Sequence, residues 1–399
     1  MTIKLSKLFF AAILIYYGWF QVVLFQIPFM LPILGAAMMG FIVLNAILTD
    51  TNITKPITFE LAMWLLFAVT SLVFGYFVAE NRVFLTGEIT NFFEFLMLIY
   101  AIIYISDKDG NLDFFVKTFI VFAAICAVTA VFAGIEYEPG RISMGLSDNP
   151  NGLGVNMAIA ICCILYKMDF KKFIYSAAGL CATLLFAYVI LLTGSRKSFL
   201  GIMIFVAYWL VFVAFKDIMA LGLAQKLKGL SLIAGAGAAA YSILYLFFKD
   251  SVLLERLIIL FQSGSDTRTE MYDAAFQLFK ESPLVGIGFN NFRAVAGFDT
   301  YSHSTYAEAI ACTGAIGSFL YFLPYVTIFL RYVKMSVSKT VSHLLLKQGR
   351  VMFGLLGLMA FLGVGIIHFY ELTSSIAFGM IFAFHFVNRK IFAKEVNGL

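Results

Sequence analysis

The chain has 399 residues, of which 62% are hydrophobic and 13% are charged, and its formal net charge is +5. A soluble protein of this length would carry about 25% charged residues, so the composition excludes a soluble globular protein and predicts an integral membrane protein. The small positive charge is explained by the lysines and arginines that orient a membrane protein, and we predict no nucleic-acid partner.

Apolar runs long enough to cross a bilayer as helices, about 20 residues each, recur along the whole chain. The first run lacks a small-residue cleavage site, so we expect it to be a retained span. We predict an all-α integral membrane protein with about 12 transmembrane helices and a single polytopic domain over residues 1–399. The predicted spans are residues 8–25, 29–48, 57–79, 91–106, 113–135, 153–168, 173–192, 199–215, 230–248, 304–333, 351–370 and 373–392.

The lysines and arginines are distributed unevenly over the predicted loops. With the N-terminus inside, 19 of the 28 lie in inward segments, and five of the nine outward ones lie in the long loop 249–304. Because the inward loops of membrane proteins are enriched in Lys and Arg, we predict that both termini are cytoplasmic and that the long loop faces outward.

The outward loop 249–304 contains a predicted amphipathic helix. Thr267 and Glu270 have the spacing of a capping box, in which a threonine oxygen and a glutamate cover free amides at a helix start. Apolar residues then recur at the helical period, and Pro283 cannot continue the helix. We therefore predict a helix over residues 268–281 that lies along the membrane surface.

Three outward arginines are candidates for binding an anion. Arg268 lies on the apolar stripe of the predicted helix, so it faces the protein, where an arginine needs an anionic partner. Arg196 and Lys197 occupy a short outward turn against the general charge asymmetry. They suit phosphate binding, and the alternative is contact with lipid headgroups. Arg141 precedes an outward turn of hydrogen-bonding side chains that includes Asn151; it lines the same site or belongs to a plain loop.

His303 lies where the long loop becomes the tenth predicted span. A helix N-terminus disfavours the protonated imidazole, and a neutral histidine can act as a general base near pH 7. The alternative is a histidine that caps the helix at the membrane interface. Small residues on the same helix face allow close approach of another helix, which would hold His303 rigidly. They are Ala307, Ala311, Gly314 and Ser318.

Several kinds of site are absent from the sequence. No outward acidic pair and no cluster of His, Cys and carboxylate residues has metal-binding spacing. Gly286 and Gly288 lack the strand and helix of a nucleotide fingerprint and are predicted to be turn glycines. The five cysteines all lie within predicted spans, where we expect them to pack rather than form disulfides. We predict no metal and no cofactor, and we assign no role to His368 or His385.

The motifs of the outward segments, taken in order, resemble those of one family. His303-Ser304, nine residues and Gly314-Ala-Ile-Gly317 match the ligase motif of the O-antigen ligase/polymerase superfamily of bacterial envelope glycosyltransferases. Residues 268–275 are similar to the family's arginine helix, although Tyr272 stands where a tryptophan is frequent. Further similar segments are residues 282–289, 194–196 and 149–151.

The resemblance implies a GT-C-like architecture and a metal-independent, inverting transfer of a glycan from undecaprenyl pyrophosphate. Arg196, Arg268 and Arg141 would bind the pyrophosphate, and His303 would deprotonate the acceptor hydroxyl. Paired arginines can neutralise this leaving group as a metal ion does elsewhere. The site would face the periplasmic or outer side of a bacterial cytoplasmic (inner) membrane. The residues implied to support the site are Lys197, Asn151, Tyr272 and Ser304.

The superfamily divides by acceptor. A polymerase adds the glycan to a carrier-linked repeat unit, and a ligase transfers it to lipid A core. Compact outward loops apart from 249–304 favour a polymerase, whereas the complete His-Ser motif favours a ligase. A transporter of lipid-linked sugars is a third interpretation, but transporters tend to carry ionisable residues near the bilayer midplane. The implied partners are the lipid-linked donor and acceptor, membrane lipids, a chain-length regulator and a flippase.

Overall fold

The structure, a computed structural model, describes residues 2–145, 149–248, 251–263, 267–337 and 341–389. In these ranges the protein is helical apart from loops and one antiparallel hairpin, formed by β1 (Ile135–Glu138) and β2 (Arg141–Ser143). The helices are α1 (Thr2–Val23), α2 (Met30–Leu48), α3 (Phe59–Val78), α4 (Arg82–Asp109), α5 (Asp113–Ala133), α6 (Pro150–Lys167), α7 (Phe173–Thr193), α8 (Arg196–Met219), α9 (Leu223–Phe248), α10 (Val252–Ser263), α11 (Thr267–Glu281), α12 (Phe292–Val295), α13 (Thr305–Val337), α14 (His343–Leu362) and α15 (Leu372–Val387).

The helices confirm an all-α integral membrane protein. In the described part of the chain, 10 helices are long and apolar enough to cross a membrane. The other two predicted spans coincide with α6, whose first turns include Asn151 and Asn156, and with α15, which has 16 residues. Most residues of both helices are buried. Their apolar side chains therefore pack against the surrounding helices more than against lipid.

One predicted span begins much later than the helix that contains it. The apolar run 91–106 is only the inner part of α4, which begins at Arg82. The side chain of Asn81 accepts hydrogen bonds from two backbone amides of the first turn and so caps the helix. The first turns of α4 are polar, and hydropathy alone does not reveal them. They carry Glu88 into the site described below.

Ion pairs hold both ends of the described chain beside the C-terminal end of α4. Lys7 pairs with Asp109 at 2.6 Å, and Arg389 pairs with Asp107 at 3.1 Å. The long loop meets the opposite end of α4, where the side chain of Asn291 accepts a hydrogen bond from the backbone just before the helix. The two chain ends and the long loop therefore lie at opposite ends of the bundle.

The long loop folds into α10, α11 and α12. Helix α11 agrees with the predicted helix over 268–281, and its buried face carries Met271, Ala275 and Leu278. These side chains form a cluster with Ala307 and Ala311 at the start of α13. The small side chains of α13 thus allow close approach of α11. The side chain of Thr267, which belongs to the predicted capping box, lies outside the described residues.

Helix α13 is interrupted at Gly314, whose φ is 61° and ψ is −163°. The turn 283–288 inserts its backbone there, and we call this contact the backbone splice. Four hydrogen bonds replace those that the helix loses at its break. They join Ile287 N to Ala311 O (3.0 Å), Gly288 N to Cys312 O (3.0 Å), Ala315 N to Pro283 O (2.8 Å) and Ile316 N to Leu284 O (3.1 Å).

The backbone splice corrects one prediction and agrees with another. Gly314 does not continue the helix face of His303, because its backbone conformation is non-helical. Gly286 and Gly288 are turn glycines, as expected, with φ of 71° and 100°. A Cβ atom at Gly286 or Gly314 would collide with the facing backbone. Both glycines are therefore required by close backbone approach as well as by positive φ.

Candidate active site

His303 lies on the wall of a cavity of about 270 Å³ near the end of the bundle that the long loop covers. We call it the main cavity. Its walls come from the first turns of α4 and α6, from Arg268 on α11, and from the segments 301–303 and 365–374. Chain segments that are far apart in sequence therefore converge on one histidine.

The backbone of His303 is in the left-handed region, with φ of 57°. Such a conformation is uncommon for a residue other than glycine and marks a constrained position. Ser304, the next residue, begins α13 by accepting a hydrogen bond from the amide of Ala307 (3.4 Å). The ring of Tyr301 lies edge-on to the imidazole, with centroids 4.6 Å apart. The chain thus fixes the direction in which His303 points.

The imidazole of His303 is neutral near pH 7. Burial, together with the positive charges of Arg268 and Lys197, lowers its pKa to about 4. The sequence predicts a neutral imidazole from the adjacent helix N-terminus. In the structure, burial and two nearby cations are the main causes.

A smaller cavity of about 20 Å³, the cationic pocket, adjoins the main cavity. Its lining includes four cationic side chains, from Arg196, Lys197, Arg256 and Arg268. Arg268 lines both cavities, as do Asn151, Gly365 and Ile366. An anion held in the cationic pocket would therefore lie next to the space that His303 faces.

Two hydrogen bonds link Arg256 to the turn 194–196. Arg196 Nη1 donates to the carbonyl of Arg256 (3.0 Å), and Arg256 Nη1 donates to the carbonyl of Gly194 (3.1 Å). Gly194 ends α7 with a φ of 62°, which allows the sharp turn into α8. Burial, together with the charges of Arg141 and Arg196, lowers the pKa of Arg256 to about 10. Cations this close together favour an anionic ligand.

Arg141 differs from the other predicted phosphate-binding arginines. It is buried, and its guanidinium donates to the carbonyl of Thr193 (2.9 Å), to Glu138 (2.6 Å) and to the Asn151 side chain (3.1 Å). These contacts hold the β1–β2 hairpin against the end of α7 and orient Asn151 toward both cavities. A positioning role fits these contacts better than the direct pyrophosphate contact expected from the sequence.

The turn 363–366 is held by three predicted supporting residues. Lys197 Nζ and the hydroxyl of Tyr272 both donate to the carbonyl of Val364, each at 2.7 Å. The hydroxyl of Ser304 donates to the carbonyl of Gly363 (3.4 Å). Lys197 also lies directly against Gly365, where a Cβ atom would displace its amino group. This turn therefore joins α8, α11 and α13 around the site.

The part of the main cavity that is not shared with the cationic pocket contains two carboxylates, and we call it the acidic end. Glu88 from α4 and Glu371 from the start of α15 line it, together with Tyr301 and Arg293. The guanidinium of Arg293 lies 5.6 Å from the Tyr301 ring centroid. Burial and the charge of Glu371 raise the pKa of Tyr301, so its hydroxyl stays protonated near pH 7. The cations nearest His303 are therefore Arg268 and Lys197, whereas the carboxylates lie close to Tyr301 and Arg293.

Sequence reasoning did not assign Glu88, Glu371 or Arg256 to the site. Glu88 lies before the apolar run of its helix, and Glu371 lies between two apolar segments near the C-terminus. Neither has a neighbouring motif residue, so their convergence depends on the fold. His368, to which we assign no role, is buried, and its ring nitrogens form hydrogen bonds with Met359 O (2.6 Å) and Ser374 Oγ (2.8 Å).

Part of the chain is similar to a known protein family. Residues 181–322 match the family model described as O-antigen ligase. The resemblance to the O-antigen ligase/polymerase superfamily is confirmed. The matched residues include Arg196, Arg256, Arg268 and His303. The match does not extend to Glu371, which lines the main cavity. Among curated proteins, no relative matches the chain.

The family match and the helices together define the protein at a coarse level. It is a multi-pass membrane protein with an O-antigen ligase/polymerase-type function. Members of the family are glycosyltransferase-like enzymes of polysaccharide assembly, which implies lipid-linked glycans as substrates.

Proposed function

We propose that the protein is an O-antigen or surface polysaccharide polymerase. It transfers a glycan from an undecaprenyl pyrophosphate-linked donor to a hydroxyl group of a carrier-linked repeat unit. The observation that carries this proposal is the junction of the cationic pocket and the main cavity at Arg268. It brings a binding site for an anionic leaving group next to a neutral histidine. The site faces the outer side of a bacterial cytoplasmic membrane, and both termini are cytoplasmic.

The cationic pocket binds the donor pyrophosphate. Arg196 and Arg268 contact the phosphates directly, since planar guanidinium groups suit phosphate oxygens, and Lys197 and Arg256 add charge. Asn151 lies between the two cavities and is oriented by Arg141. The charge that develops on the leaving group is neutralised by these fixed cations, with no metal ion.

The reaction is a single displacement. His303 accepts the proton of the acceptor hydroxyl while the hydroxyl oxygen attacks the anomeric carbon of the donor sugar. The bond between this carbon and the pyrophosphate oxygen breaks, and its electron pair leaves with undecaprenyl pyrophosphate. The attack comes from the side opposite the leaving group, so the anomeric configuration inverts. The proton on His303 then passes to solvent.

Donor binding makes His303 a stronger base. In the free protein, Arg268 and Lys197 contribute to its low pKa, about 4. A bound pyrophosphate neutralises both cations, and its negative charge stabilises the imidazolium. The pKa of His303 therefore rises when the donor binds, which couples proton transfer to the presence of the leaving group.

A ligase that transfers glycan to lipid A core is the second candidate, and one observation favours it. The matched family model is described as O-antigen ligase. The polymerase is preferred because the loops other than 249–304 are compact in the sequence, and a bulky core acceptor would need a docking surface.

The proposal is tested with purified protein in liposomes that contain undecaprenyl pyrophosphate-linked repeat units and EDTA, with no other acceptor. We expect a ladder of lengthening lipid-linked glycan. His303→Ala should reduce the transfer rate by about 10²- to 10⁴-fold, the usual contribution of a general base. The products are followed by gel electrophoresis and mass spectrometry.

His343→Ala is the matched control, because His343 is exposed at the other end of the bundle, near Asp217. It should leave the ladder unchanged. The absence of a ladder, with a glycosylated lipid A core formed once lipid A core is added, would identify a ligase instead. Full activity of folded His303→Ala protein would remove the histidine from the mechanism.

A further inference from the structure

The acidic end of the main cavity has no assigned ligand. Glu88 and Glu371 line it, and Arg293 is the cation beside them. Thr373 lines the same end; its side chain is 6% exposed. Arg293 Nε is buried and has no hydrogen-bond partner among the residues that the structure describes. A buried donor beside a cavity without a protein partner points to a polar ligand.

The position of this end relative to His303 indicates which substrate it binds. In the proposed function the pyrophosphate binds to Arg196 and Arg268 in the cationic pocket, and the charge of Arg268 acts on the imidazole of His303. An inverting displacement needs the attacking hydroxyl on the opposite side of the anomeric carbon from the leaving group. The acceptor sugar therefore approaches from the side of Tyr301, whose ring contacts His303 and whose electrostatic neighbours include Glu88 and Glu371.

We propose that the Glu88–Glu371 end of the main cavity is the acceptor-sugar subsite and that it selects an uncharged or amino-bearing pyranose over an acidic one. This inference rests on the proposed glycosyl transfer. Carboxylates accept strong hydrogen bonds from sugar hydroxyls. The same carboxylates repel a carboxylated sugar, and Arg293 offsets only one of the two charges.

The acidic end of the main cavity has room for no more than one sugar ring. The whole cavity, including the part at His303 and Arg268, has a volume of about 270 Å³, near the lower limit of about 300 Å³ for small-molecule sites. Tyr301 offers an aromatic surface beside the imidazole, and Thr373 offers a hydroxyl. Only the terminal sugar ring of the acceptor thus enters the cavity, and the rest of the acceptor glycan stays outside it.

The test uses three probes that differ only in charge: octyl glucoside, its 2-amino derivative and octyl glucuronide, each below its micelle concentration. Their binding to the full-length protein in nanodiscs is measured by saturation-transfer NMR, with and without undecaprenyl pyrophosphate. We expect the neutral and amino glycosides to bind at least about tenfold more tightly than the glucuronide. They should bind together with undecaprenyl pyrophosphate rather than compete with it.

The variant Glu88→Gln/Glu371→Gln keeps the shape of both side chains and removes their charge. In this variant the neutral and amino glycosides should bind no more than about twofold more tightly than the glucuronide. Each single variant should show a preference between those of the wild-type protein and the double variant. Glu281→Gln, at an exposed position of α11, is the matched control and should keep the wild-type preference. Thr373→Val should weaken the binding of all three probes to the same extent, since it removes a hydrogen bond and no charge.

Two outcomes would overturn the acceptor subsite. One is equal binding of glucoside and glucuronide by the wild-type protein, and the other is an undiminished preference in the folded double variant Glu88→Gln/Glu371→Gln. Competition between the glycosides and undecaprenyl pyrophosphate would also contradict it. Binding of undecaprenyl pyrophosphate is measured separately in the same samples. Failure of the wild-type protein to bind it would instead contradict the proposed function.

Discussion

At the scale of single residues, charge is arranged around His303 rather than spread over the site. Arg268 links the two cavities, and its charge is one cause of the low pKa of His303. In the proposed mechanism, the same guanidinium therefore serves two purposes: it binds the leaving group and keeps the base unprotonated before the donor arrives.

Arg268→Gln is expected to weaken binding of undecaprenyl pyrophosphate by about tenfold or more, because a charge-assisted contact to phosphate is lost. Lys280→Gln is the control on the same helix, since Lys280 is exposed and lies over the ring of Phe276. Affinity is measured by titration in nanodiscs. Equal affinity of Arg268→Gln and wild-type protein would contradict the assignment of Arg268 to the phosphate site.

The titration of His303 is a second test at this scale. The chain has four histidines. Their carbon-13-labelled side chains are observed by NMR, and the signal of His303 is identified by its loss in His303→Ala. We expect a pKa of about 4 in the free protein and a higher value with undecaprenyl pyrophosphate bound. Lys197→Met should raise the pKa in the free protein, since it removes one repelling cation.

The pH dependence of transfer follows from the direction of this shift. The neutral imidazole is the active form, so kcat/KM, which reports the free enzyme, should fall only as pH drops through about 4. The acidic limb of kcat, which reports the donor complex, should lie at higher pH. A free-protein pKa near 6.5, the ordinary value for histidine, would contradict the structural explanation.

At the scale of elements, the backbone splice explains why two motifs that are far apart in sequence belong together. The turn 283–288 and the helix break at Gly314 supply each other's missing hydrogen bonds. Helix α11 precedes this turn and packs on Ala307 and Ala311 of α13. The splice therefore sets the position of Arg268 relative to His303.

Gly314→Ala should lower the free energy of unfolding by at least about 2 kcal/mol, because Gly314 has a backbone conformation that is essentially restricted to glycine. Gly357→Ala is the control: Gly357 lies within helix α14, and a Cβ atom there would meet no other atom within 4 Å. It should be neutral or slightly stabilising. Thermal unfolding in detergent measures both, and an unchanged melting temperature for Gly314→Ala would contradict the splice.

The sequence predicts the elements better than it predicts their breaks. Hydrophobic runs and the helical period of α11 reflect local burial. They therefore indicate the helices directly, and they indicate that Arg268 lies on the face of α11 that is turned toward the protein. The interruption at Gly314 depends on hydrogen bonds from a turn that lies earlier in the chain, and the apolar residues on both sides give no local sign of it. Arg141 is a similar case, because its partners Glu138, Asn151 and Thr193 converge only in the fold.

At the scale of the whole molecule, the bundle separates the chain ends from the site. Lys7 and Arg389 lie at the far end of α4 from the long loop. The charge asymmetry of the loops predicts which end is outside. The acidic end of the main cavity is apparent only at this scale, since Glu88 lies in α4 and Glu371 lies just before α15, far apart in the sequence.

Membrane orientation is tested by labelling single cysteines in intact cells with an impermeant maleimide. Glu281→Cys, exposed on α11, should react, and Lys171→Cys, exposed between α6 and α7, should react only after the cells are lysed. The parent protein, whose five cysteines lie in spans, gives the background. The reverse labelling pattern would put the site on the cytoplasmic side.

The nine residues between Ser304 and Gly314 act as a spacer of fixed length. The segment is held at its start by the turn 363–366 and at its end by the backbone splice. Each residue of a helix advances the chain by about 1.5 Å and rotates it by about 100°. One inserted or deleted residue would turn His303 away from Arg268 without changing either side chain. This part of the chain should therefore tolerate substitutions at many positions but no change in length.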